Sequence, residues 1–227
     1  MSSIAQLVSE IAHSVQQADS VPVRRAIKLS IIHSRNELIR KSYDNNKTVD
    51  KVLQQRFRLT LIDVPDGDLA GTQNLPLVNI KRTLNKVPRA TRLDNNLPFL
   101  SVRTAGLRRP ISIPFVKEAS SGFYNSLPGM GNIISYDLIN DYVYVDTTKN
   151  QAMSDLGSII IESPFEQPHL IRTETSDGIL NIEDVSDEDE FLIPEDMINS
   201  IKKMVLETFN PQVNRQTNEI PTSNLVK

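Results

Sequence analysis

The first fifteen residues place Ile4, Leu7, Val8, Ile11 and Val15 at steps of three and four, the apolar stripe of an amphipathic helix. Asp19 and Ser20 follow as N-cap candidates. Pro22 suits the first turn of a second helix, where its missing N–H costs nothing. Val23, Ile27, Ile31 and Leu38 make the buried stripe of that helix, while Arg24, Arg25, Lys28, Arg35, Arg40 and Lys41 take its remaining faces. The cluster Asp44-Asn45-Asn46-Lys47 predicts a turn, after which Thr48 caps a short third helix through Val49, Leu53 and Phe57. Residues 1–57 therefore read as a helical hairpin region.

The period then shortens from 3.6 to 2. Phe57, Leu59 and Leu61 alternate with Arg58 and Thr60, as in a strand with one buried face. Short β-prone runs continue at 76–80, 99–102, 111–113, 141–145 and 157–161, divided by Pro, Gly, Asn and Asp. With no long helix between them, they predict an antiparallel sheet or small sandwich over 58–190. One helical turn is expected within 116–124. An acidic stretch, 183–190, leads into Phe191-Leu192-Ile193-Pro194-Glu195-Asp196, which opens a last helix. There Met197, Ile198, Ile201, Met204, Val205 and Phe209 form the stripe, and the helix region spans 191–210. The polar remainder, 211–227, has no packing pattern and is expected to be a flexible, extended tail. The fold class that results is α+β.

Composition narrows function mainly by exclusion. Hydrophobic residues make up 39% of the 227, enough for a core, and no apolar run approaches the roughly 20 residues that cross a bilayer. The chain has no cysteine, which removes disulfides and thiolate metal sites and fits assembly in a reducing cytoplasm. The N-terminal Met1-Ser2-Ser3-Ile4 does not resemble a secretory signal. His13, His33 and His169 are not spaced as metal ligands, and no nucleophile elbow or phosphate-binding glycine loop is present. Pro128-Gly129-Met130-Gly131-Asn132 reads as a turn, and the acidic run lacks the alternating carboxylates and the glycine of a calcium loop. No catalytic, cofactor or metal site is expected.

One electrostatic feature remains. Between Lys81 and Lys117 lie Arg82, Lys86, Arg89, Arg92, Arg103, Arg108 and Arg109, against the single acid Asp94. Around 183–196 the chain is acid-rich instead, although the overall net charge is only −3. Three readings stay open: two solvated charged surfaces, a contact in which the basic part of one copy meets the acidic part of the next, and a basic surface touching DNA. For the second reading the contact residues are Arg103, Arg108 and Arg109 on one side and Asp187, Glu188 and Asp189 on the other.

Several segments together carry a family resemblance. They are Arg24 through Arg35 (RRAIKLSIIHSR), Gln54 through Leu61 (QQRFRLTL), and the ending from Phe165-Glu166-Gln167-Pro168 to Ile193-Pro194-Glu195-Asp196-Met197. This order resembles podovirus-like virion structural proteins, including neck or ring proteins of crAss-like phages, over about residues 22–209. The resemblance implies a non-enzymatic subunit of a head–tail connector, a cyclic ring beneath the portal, commonly of about twelve copies. It would take the portal and other neck or tail ring proteins as partners and touch genomic DNA at most nonspecifically. The alternative is a nucleic-acid-binding accessory protein using 81–117. In both cases the place of action is the phage particle or its assembly, with no membrane partner.

Overall fold

The protein is described from a computed structural model, covering residues 3–65, 80–106, 109–117, 133–147, 153–168, 171 and 191–209. Helix α1 runs Ile4–Ser14 and starts on a capping box. The Ser3 hydroxyl accepts the Gln6 N–H, and the Gln6 side chain returns the bond to Ser3. Helix α2 spans Val21–Asn46, one turn beyond the sequence expectation, because Lys47 adopts φ +54° and closes the C-terminus by donating to the Tyr43 carbonyl. The expected third helix is a single 3-10 turn, Lys51–Leu53, capped by Asp50 rather than Thr48. Phe57 is drawn out of it into strand pairing.

Six strands follow among the described residues: β1 Gln55–Asp63, β2 Ile80–Thr83, β3 Ser101–Thr104, β4 Ser135–Ile139, β5 Tyr142–Asp146 and β6 Ser158–Ser163. They form one sheet in the order β3-β6-β1-β2-β5-β4, and every paired neighbour is antiparallel. A final helix, α3, runs Glu195–Phe209 with both acids in its first turn. The fold is therefore α+β, with a single curled sheet rather than a sandwich.

Strand β4 lies outside the runs read from sequence. It joins β5 through Asn140-Asp141, both at positive φ, the two-residue turn whose twist matches that of antiparallel strands. The run 111–113 is not a strand but part of a strap flanked by Pro110 and Pro114. Ser112 bridges to Arg103 on the β3 edge, and Phe115 bridges to Tyr136 on the β4 edge. Three residues reach at most about 11 Å, so the two edges of the sheet curl until one short segment can touch both. The helical turn expected within 116–124 and the run 76–79 fall outside the described residues.

Two apolar clusters result. Inside the curled sheet Phe57, Leu59, Val102, Ile113, Tyr136 and Phe165 pack together, with the Phe57 and Phe165 rings 5.1 Å apart. A second cluster joins α1, α2 and α3 through Ile4, Ile11, Ile27, Ile31, Ile201 and Val205, together with Phe191 and Ile193. On the α2 stripe read from sequence, Ile27 and Ile31 are buried while Val23 and Leu38 are only half-buried; Ile39 is buried beside Leu38.

Candidate assembly surface

The alternation that buries Phe57 and Leu59 turns Arg56 and Arg58 to the outer face of β1. Register then sets them beside the neighbouring strands. Arg56 pairs across to Glu162 and Ser101 in one row, and Arg58 across to Ile160 and Arg103 in the next. Glu162 Oε2 lies 3.0 Å from Arg56 Nη2 and 3.6 Å from Arg103 Nη2. Arg58 is fixed by two donations to the Ser158 hydroxyl, at 2.9 and 2.8 Å, and Arg103 donates to the Ser101 hydroxyl at 2.8 Å. Three arginines against one glutamate leave this face positive.

Arg103 thus stands on an edge strand, already tied to an acid of its own chain. Arg109, at the start of the strap, is exposed and has no partner among the described residues. Arg108, Asp187, Glu188 and Asp189 lie outside the described residues. Arg56, Arg58 and Glu162 were not singled out from sequence. The signal was there, since any residue alternating with Phe57 and Leu59 must share one outer face.

The rest of the basic stretch is spread over several elements. Lys81 pairs with Asp63 at 3.4 Å and Arg89 with Asp141 at 3.6 Å, while Arg82 and Lys86 lie over the Tyr142 ring at 4.7 and 5.9 Å. Its single acid, Asp94, faces Lys47 at 3.7 Å. Arg92 and Lys117 are left without partners among the described residues, and both stand on the rim of a groove of about 690 Å³. The walls of that groove are mixed, with Leu93, Leu97, Phe99, Phe115 and Leu138 beside Asn96, Asp141 and Glu166.

Arg35 is a correction to the sequence reading, which placed it on the solvent side of α2. Its guanidinium is fully buried where the two apolar clusters meet. Nε donates to the Leu192 carbonyl at 3.1 Å, and Nη1 donates to the Phe165 carbonyl at 2.9 Å and to Asn36 Oδ1 at 3.3 Å. Asn36 in turn donates to the Glu166 carbonyl and accepts from Thr91. Burial without a facing carboxylate pushes the Arg35 pKa down to about 10. Burial pushes the Tyr136 phenol well above its ordinary value. Among the described residues no group of three or more His, Asp or Glu is placed to hold a metal ion.

What emerges is an α+β protein with a positively charged outer sheet face, a groove of mixed lining and a buried arginine at the seam of its two apolar clusters. The sequence matches the family model described as phage tail ring protein 2 (CrAss_Ring_2) over residues 6–224. The chain belongs to that family and is a phage structural protein. No curated protein matches it.

Proposed function

We propose that this protein forms a cyclic ring in the neck of a tailed phage, between the portal and the tail, and acts there without catalysis or cofactor. The family match over residues 6–224 carries this reading. Neighbouring copies meet head to tail, with Arg103, Arg108 and Arg109 of one facing Asp187, Glu188 and Asp189 of the next. A contact of this kind is used once per subunit and closes on itself when the rotation per copy divides a full turn. The outer arginine face supports it, because such charges steer and align partners more than they tighten them. In this scheme 1–57 and 191–210 are the helical parts, 58–190 is the β-rich body, and 211–227 is a tail that orders against a neighbouring copy or the portal.

Peptide counting in purified particles tests the reading. A ratio to the portal protein near one, about twelve copies for a portal of the usual cyclic symmetry, is the expected result. Hundreds of copies would place the protein on the capsid, and absence from particles would end the structural reading. The excess of basic residues in 81–117 also favours a second reading, contact with duplex DNA through that stretch. That reading predicts micromolar binding that falls steeply with salt, whereas the ring reading predicts only weak, nonspecific retention.

A further inference from the structure

The groove beside the 87–99 loop is built rather than incidental. The first part of its outer wall, residues 87–91, is hydrogen-bonded into the fold. Val87 N–H reaches the Asp141 carbonyl at 2.7 Å, Thr91 N–H the Pro164 carbonyl at 2.8 Å, and Glu166 N–H the Arg89 carbonyl at 2.9 Å. The floor comes from Phe99, Phe115 and Leu138. Its volume of about 690 Å³ falls within the roughly 300–1,000 Å³ of ordinary ligand sites. Two features are left over among the described residues. Leu97 on the rim is 44% exposed. On the charge side, Arg89 is matched by Asp141, which leaves Arg92 and Lys117 against Glu166 alone.

An occupant that satisfies both features is an extended peptide with apolar side chains and two acids. The chain itself contains one, Ile179-Leu180-Asn181-Ile182-Glu183-Asp184-Val185, immediately before the acids Asp187 to Glu190. A heterologous ring contact needs an acceptor and a donor on every copy, on different surfaces. We infer that the groove of one copy is the acceptor for residues 179–185 of the next. The apolar side chains seat on Leu97, Phe99 and Phe115, while Glu183 and Asp184 meet Arg92 and Lys117. The inference rests on the ring reading and names the partner segment and the site that receives it. A rigid, preformed groove lowers the ordering cost of such a docking.

The absence of native cysteines makes the test clean. Full-length Leu97→Cys and Val185→Cys chains are purified, mixed under mild oxidation and run without reductant, and the mass of the wild-type assembly is measured in parallel. The expected result is a disulfide-linked heterodimer from the mixture and a ladder of multimers from the double variant. Adding Arg92→Glu and Lys117→Glu to the Leu97→Cys chain should cut the crosslink about tenfold, and Glu183→Lys with Asp184→Lys on the other chain should restore it. An intrachain disulfide alone from the double variant would show that the segment docks on its own groove, and would overturn the inference. So would a missing crosslink, or seating of the 211–227 tail in its place. If rings form without the crosslink, only this inference fails. If wild-type rings and crosslink are both absent, the ring reading fails with it.

Discussion

Arg35 shows how one residue can decide a structure while looking ordinary in the sequence. Spacing alone puts it on the buried stripe, since Ile27, Ile31, Arg35 and Ile39 follow at steps of four. Its charge argued for the surface, and in the fold position outweighed charge because three acceptors wait at the seam. Arg35→Ala should leave the Leu192 and Phe165 carbonyls without this donor and cost about 3 kcal/mol. Arg35→Lys should recover only part of that, because an ammonium lacks the fork that serves both carbonyls. Urea midpoints of the two variants check this, and equal stability of the lysine variant and wild type would refute it. Tyr136 supplies a pH prediction. Its pKa is raised in the folded chain, so its contribution is complete below about pH 10 and is lost as pH climbs above that value. Arg35, lowered in the fold to about 10, works in the opposite sense over the same range. Comparison with Tyr136→Phe isolates the phenol: wild type should lose stability relative to the variant between about pH 10 and 12, and parallel curves would contradict it.

At the scale of elements, the helices were legible because each carries a full apolar stripe, and α1, α2 and α3 all lie where periodicity put them. Strands with clean alternation, such as β1, were equally plain. Strand β4 was not. Its residues Ser135–Ile139 mix Tyr136 and Leu138 with polar positions, and the readable cue was the Asn140-Asp141 turn ahead of a run already taken as a strand. The strap could not be read at all, since its meaning comes from touching two edges far apart in sequence. The basic stretch was visible as charge, but the division into paired arginines, an outer face and a groove rim depends on strand register. A prediction belongs at this level. Ile201 is 1% exposed among α1, α2 and α3, so Ile201→Asp buries an unpaired charge in a cluster that holds both ends of the chain together. The cost is several kcal/mol, a large share of a typical domain's stability. Soluble folded Ile201→Asp protein, seen by circular dichroism, would be evidence against this packing. Deletion of 211–227 should instead leave the melting curve unchanged, because every described residue of the helical cluster lies at or before Phe209.

Assembly is a property of the whole molecule, and there the useful variants are those that separate folding from association. Arg109 suits this purpose: it is exposed and unpaired among the described residues, so Arg109→Ala removes no side-chain pairing described for the fold. Arg103 suits it less, since its loss also frees Glu162, which Arg56 would then hold alone. The double variant Arg108→Ala, Arg109→Ala should therefore unfold at the wild-type temperature yet enter rings and particles poorly. Because the proposed contact sets charge against charge, the wild-type assembly should itself weaken with added salt, and the variant should depend on salt less. Normal ring formation by the double variant, with an unchanged salt response, would remove these arginines from the interface. The outcome can then be set beside the groove crosslink. Loss of assembly with the crosslink retained would make the arginines a second contact rather than part of the same one. Loss of both would show that the acidic stretch after residue 185 and the apolar stretch before it dock as one continuous strand.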